Sequence, residues 1–174
     1  MGEWLATRPG PLDHVPYFGR YIERVPDGNI IETLRDRIAT TARFFGGLEE
    51  SKGDHRYAPG KWTVKEVLGH LIDGERVFSY RALRFARGDG TALPGFDENV
   101  YVPAGAFGRR SLADLVGEFR SVRASTVALF AGLPEEAWGR RGSASGVEVS
   151  VRALPWIIAG HEIHHVEVVG ERYL

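Results

Sequence analysis

The chemistry this chain can offer rests on histidine. It has six, at positions 14, 55, 70, 161, 164 and 165, and no cysteine. The absence of thiols excludes disulfides, thiolate metal sites, iron–sulfur clusters and a cysteine nucleophile. Any metal site must then be built from His, Asp and Glu. His14 and His55 lie in loop-like sequence, whereas His70, His161, His164 and His165 fall in segments of helical periodicity. On the last such segment, with its apolar stripe of Leu154, Ile157, Ile158 and Val168, a step of 100° per residue puts His161 and His165 near the middle of the apolar face. His164 falls at the edge. An i, i+4 pair stacks two imidazoles at a separation that suits one shared ion. His70 sits on the apolar side of an earlier helix between Val67 and Val77, and Gly74, one turn further on, leaves space beside it.

The plainer reading makes each of these a core histidine bonded through one nitrogen. Burying three imidazoles, however, requires partners for about six ring nitrogens. A divalent cation held by His70, His161 and His165 would satisfy half of them at once. Three neutral imidazoles with one open position is the layout of catalytic zinc, which lowers the pKa of bound water to about 7. Zinc and nickel both suit such a ligand set. His161-Glu162-Ile163-His164-His165 also reads as H-E-x-x-H, the zinc-protease helix, in which the Glu acts as general base. Against a protease stand the nine residues that follow His165, where a third ligand usually lies well downstream, and the lack of a predicted sheet edge to grip a peptide. Asp73, Glu162 and Asp97-Glu98 are candidates to orient the imidazoles, though each also suits a solvated surface. Arg76, Arg81 and Arg84 could bind a cosubstrate carboxylate if any of them faces the site.

Four helical patterns must position these groups. The first opens at Asn29 with Glu32 three residues on; the second at Thr63 with Glu66; the third at Ser111 with Asp114. Each has the spacing of a reciprocal cap. The fourth starts near Ser150 and runs toward the terminus, with Pro155 early enough that it need not break the helix. Val147-Glu148-Val149 is the best strand signal and is too short to found a sheet. The expectation is an all-α four-helix bundle over residues 29–174, with a long connection of roughly residues 89–110 between its second and third helices. Residues 1–28, rich in Pro and Gly, read as an extended lead-in packed on the core. Ile163 and Val166 point away from the main stripe of the last helix, which hints at a second buried face.

Composition agrees with a single domain of 174 residues. Lys plus Arg is 22 and Asp plus Glu is 23, a balance that offers no electrostatic footprint for nucleic acid or an anionic membrane. No signal pattern or membrane-spanning run is present, so the expected location is the cytoplasm.

The segment Trp62-Thr63-Val64-Lys65-Glu66-Val67-Leu68-Gly69-His70-Leu71-Ile72-Asp73 resembles the second-helix motif of the DinB superfamily (DinB/YfiT-like proteins). Ala159-Gly160-His161-Glu162-Ile163-His164-His165 resembles its last-helix motif, and Arg81 to Asp89 with Leu93 to Glu98 is similar to the part between. The resemblance covers roughly residues 25–174. It implies helices in up-down-down-up order and a divalent metal on His70, His161 and His165, with His164 outside the ligand set. It also implies a homodimer and a small-molecule substrate, since relatives include S-transferases using bacillithiol or mycothiol and a mycothiol-dependent isomerase. Two functions compete. One is a metal-dependent enzyme, S-transferase-like or hydrolase-like, activating water or a low-molecular-weight thiol. The other is a non-catalytic metal-bound module serving stress-related binding or structure. A metal-free bundle with packed histidines is a third possibility.

Overall fold

The computed structural model describes residues 3–174; Met1 and Gly2, where the lead-in begins, lie outside the described residues. Four long helices form the body: α2 (Ile30–Gly46), α3 (Val64–Ala86), α5 (Leu112–Ala131) and α7 (Ala153–Arg172). Three short ones accompany them: α1 (Pro16–Ile22), α4 (Glu98–Gly105) and α6 (Glu135–Trp138). In the bundle α2 packs on α5 and α7, and α3 packs on the same two helices.

The starts follow the caps. Asn29 accepts hydrogen bonds from the amides of Ile31 and Glu32, and Ser111 accepts one from Asp114. Thr63 and Glu66 make the full reciprocal box. Helix α7 begins three residues later than expected because Ser150 belongs to a strand, from which its hydroxyl accepts the Ala153 amide at 3.1 Å. Pro155 sits in the first turn, where an amide has no intrahelical partner to lose.

Three features differ from the sequence expectation. The weak strand signal is one arm of a hairpin, β1 (Arg141–Ala144) with β2 (Val147–Ser150), closed by Ser145 and Gly146, both at positive φ. The connection between α3 and α5 carries α4. Within the segment read as extended lead-in, residues 16–22 form α1, a helix too short for apolar periodicity to register.

Helix α1 is held by a close approach. A Cβ built on Gly160 would lie 1.9 Å from the carbonyl oxygen of Tyr21, so only glycine lets α1 settle on α7. Ile163 joins one core cluster and Val166 packs against the other, which accounts for the second buried face within this chain. Among the described residues no helix is long and apolar enough to cross a membrane.

The core is two clusters, not one. The first gathers the N-terminal halves of α2 and α7 with the C-terminal halves of α3 and α5, as in Leu34, Ile157, Phe85 and Phe130. The second gathers the opposite halves, as in Phe45, Val169, Leu68 and Phe119. Between them runs a buried polar layer contributed by all four helices.

Replacing Gly160 by Ala should free α1: its steric conflict is with backbone, which cannot rotate away. A loss of about 1–3 kcal/mol in urea unfolding and faster proteolysis within residues 1–28 are the expected outcomes. Native stability and native cleavage rates would refute the packing argument.

Candidate metal centre

The polar layer is best described from Arg123 on α5, which is fully buried. Its Nε and Nη2 donate to the two carboxylate oxygens of Glu75 on α3, at 2.7 and 2.9 Å. Its Nη1 lies 2.6 Å from Glu162 Oε2 on α7. Glu162 also contacts Arg37 Nε of α2 at 3.1 Å and accepts the Thr41 hydroxyl. Two guanidinium groups thus meet two carboxylates, and the layer is neutral as a whole. Around Arg123 the carboxylates outweigh burial and hold its pKa above the ordinary value.

That arrangement settles the H-E-x-x-H question. Glu162 is turned into the bundle and pinned by two arginines, so it cannot serve as a general base beside His161. It does not orient an imidazole either. Nor does Asp73, which pairs with Arg76 at 3.8 Å, nor Asp97, which caps α4 through the Asn99 amide. Among the described residues no carboxylate hydrogen-bonds any of the three imidazoles.

One face round from this layer, α3 and α7 bring His70, His161 and His165 together. One ring nitrogen from each lies within 4.8 Å of the others. His70 Nε2 and His161 Nε2 face each other at 3.0 Å. Ring centroids are separated by 4.6 to 4.9 Å. Gly74 lies beside the set: a Cβ there would meet His161 Cε1 at 3.4 Å, an ordinary contact. Trp62 packs against His70, and the Tyr21 ring meets His161 edge-on at 5.3 Å. His164 lies outside this set, between Tyr21 and the His165 ring. His14 and His55 are elsewhere, His14 against its own backbone at the Val15 carbonyl and His55 near Tyr173.

The electrostatics favour neutral rings. Burial lowers His70 to about 4, against which nearby Glu98 pulls weakly upward. Burial, followed by the charge of neighbouring imidazoles, lowers His165 to about 3 and His161 well below its ordinary value. A neutral imidazole keeps a lone pair, and only one proton can sit between the facing nitrogens of His70 and His161. Two imidazoles on a tetrahedral cation with bonds of about 2.0 Å stand roughly 3.3 Å apart, the scale of the observed convergence. The donor set therefore fits a borderline cation such as zinc or nickel. The triad lies in the wall of a cavity of about 440 Å³, whose other sides come from α1, the hairpin and the segment around Phe96 and Glu98.

A model of the DinB superfamily matches residues 33–169. This chain belongs to the DinB superfamily. Its fold is similar to that of YfiT from Bacillus subtilis, described as a probable metal-dependent hydrolase with an unusual four-helix bundle topology. The TM-score is 0.70 at 15% identity, covering 98% of this chain and 95% of that one. It is also similar to the mycothiol-dependent maleylpyruvate isomerase, with TM-score 0.67 at 16% identity, covering 87% of this chain and 66% of that one. No curated protein sequence matches. At these identities the structural likeness establishes the four-helix-bundle fold of this DinB-superfamily chain.

Arg123 and Glu75 were not singled out in the sequence, and Glu162 was read there in another role. Arg123 lies on the apolar face of its helix, as Phe119 and Val127 at i−4 and i+4 record. Glu75 and Glu162 sit among buried neighbours in the same way. A charged residue inside an apolar stripe marks a buried pair whenever a second such residue exists to meet it.

Arg123→Met leaves Glu75 buried without its partner and Glu162 with Arg37 alone. Urea unfolding should lose about 3–5 kcal/mol, and a loss under about 1 kcal/mol would contradict the layer's role. The chelator-treated chain should also be acid-sensitive. The folded pKa values of His70 and His165 lie below the unfolded value of 6.5, so the unfolded state binds more protons. The stability tied to these neutral rings is complete above pH 6.5 and falls as pH drops toward 4. A urea midpoint independent of pH across that window would count against it.

Proposed function

We propose that His70, His161 and His165 hold one divalent cation, zinc or nickel, and that the chain is a metal-dependent enzyme acting on a small molecule in the adjoining cavity. The observation that carries this reading is the convergence of three neutral imidazoles in the wall of an open cavity rather than inside the sealed core. A bound cation would supply Lewis acidity, ionising a water or a low-molecular-weight thiol near neutral pH. Such a thiol provides the sulfur nucleophile that a chain without cysteine lacks. The two structural neighbours, one a probable metal-dependent hydrolase and one a mycothiol-dependent isomerase, are consistent with either nucleophile.

The chain's own residues divide the remaining work. Trp62, Tyr21 and Phe78 pack around the imidazoles and limit water to the cavity side. Glu98 is the carboxylate lining the cavity, and in this reading it accepts the proton released as the nucleophile ionises. A purely structural metal site would require a fourth protein ligand to close the coordination sphere. Among the described residues only the three histidines converge, which favours the catalytic reading over a non-catalytic module.

The up-down-down-up helix order belongs to the same reading. Its support is the pairing of the N-terminal halves of α2 and α7 with the C-terminal halves of α3 and α5 in one cluster. The long segment between α3 and α5 is what lets those two neighbours run parallel.

The test is to load the purified protein with zinc or nickel, measure the metal content, and assay thiols against a panel of electrophiles. One ion per chain and metal-dependent turnover are expected. His161→Ala should weaken zinc binding by about 100-fold or more and abolish turnover. Turnover that survives this substitution or complete chelation would sink the proposal.

A further inference from the structure

Three arginines of α3 offered themselves as anion contacts, and their surroundings now separate them. Arg76 is half exposed and occupied by Glu118 at 2.6 Å. Arg84 is bound to Asp89 and to the Tyr80 hydroxyl. Arg81 is different. It is only 6% exposed and lines the triad cavity, and among the described residues no carboxylate pairs with it. Among the described residues its hydrogen bonds run from Nη2 to the Ser145 hydroxyl at 2.9 Å and, weakly, to the Pro94 carbonyl at 3.4 Å. Buried guanidinium groups are ordinarily paired, as Arg123 is twice over. A buried arginine that faces open space with donors to spare is built to receive an anion from that space.

The rest of the cavity defines that anion. Arg81 lies eleven residues beyond His70, three turns along one face of α3, with Gly74 and Phe78 between them. The Phe78 ring centroid is 6.2 Å from that of His161 and 5.6 Å from Arg81 Cζ, so the width of one phenyl ring bridges guanidinium and imidazole. The exposed Arg20, stacked on Tyr17, and Glu98 also line the cavity. These groups, with the cation proposed on the triad, make the cavity attractive to an anion, and shape rather than net charge selects which one. A planar carboxylate matches the planar fork of Arg81 with its two oxygens.

We infer that Arg81 anchors the carboxylate of the small molecule that occupies the triad cavity, its body lying over Phe78 and its reactive end directed at the histidines. Ser145 is a positioning residue that fixes the guanidinium from the hairpin turn. This deepens the proposed function and rests on its reading of the cavity as a substrate site.

The test measures binding of phenylacetate, phenylacetamide and inorganic phosphate to the chelator-treated, full-length chain by NMR titration, so that no cation can hold the acid. Phenylacetate should bind at least tenfold tighter than the amide. Arg81→Gln should erase that preference. Arg81→Lys, which keeps the charge and the fold but loses the fork, should retain part of it, and Arg76→Gln should leave it unchanged. Equal binding of acid and amide, no binding of either, or a preference that survives Arg81→Gln overturns the inference. Tighter binding of phosphate than of phenylacetate overturns the carboxylate assignment. Zinc content, measured in parallel on native, Arg81→Gln and His161→Ala proteins, separates the two readings. If zinc fails to bind while the acid preference persists, the metal reading fails and the anchor stands; zinc bound without any acid preference gives the reverse.

Discussion

The interaction on which this molecule turns is the meeting of Arg123 with Glu75 and Glu162 at the middle of the bundle. Three fully desolvated charges, joined by Arg37, sit where an apolar core would ordinarily be continuous. Such a layer contributes little net stability compared with well-packed hydrocarbon, but it tolerates few alternatives. Any rotation or slip of α3, α5 or α7 would strand a charge. The layer therefore fixes the rotation of each helix about its own axis, and with it the direction in which every other residue on that helix points.

The histidine triad inherits its geometry from that constraint. On α7, Glu162 turned into the layer leaves His161 and His165 on the neighbouring face. On α3, Glu75 in the layer leaves His70 and Gly74 facing them. The cost is that the H-E-x-x-H glutamate is consumed structurally and is not available for proton transfer. What faces the triad across open space instead comes from parts peripheral to the bundle: α1, the hairpin turn and the segment before α4. The chain thus separates a histidine triad on packed helices from a cavity wall made of shorter elements, the usual division between scaffold and specificity.

Much of this was legible in advance. The caps at Asn29, Thr63 and Ser111 located three helices, because capping is a local matter of side-chain oxygens and free amides. Helical phase alone selected His70, His161 and His165 as inward-facing, and those are the three rings that converge. Other features were not legible, for physical reasons. Helices of four to eight residues carry too little periodicity to stand out, so α1, α4 and α6 went unseen. The hairpin depends on a Ser145-Gly146 turn whose positive φ angles are weakly encoded in sequence. Glu162 read as a surface group or a base because its two arginine partners lie on other helices, 39 and 125 positions away.

By itself, the sequence determined the class of chemistry and the scaffold for it: no thiols, imidazoles at helical spacing, and four amphipathic helices to carry them. These follow from residue type and local periodicity, which need no knowledge of neighbours. Only the tertiary structure decided which arginine of α3 lines the cavity of the imidazoles, which carboxylates are buried and which line the cavity. Those are properties of pairs on different elements. Arg76, Arg81 and Arg84 are alike as side chains and close in sequence, and what distinguishes them is which acid comes within reach: Glu118 of α5 meets Arg76, Asp89 just beyond the helix meets Arg84, and among the described residues none meets Arg81.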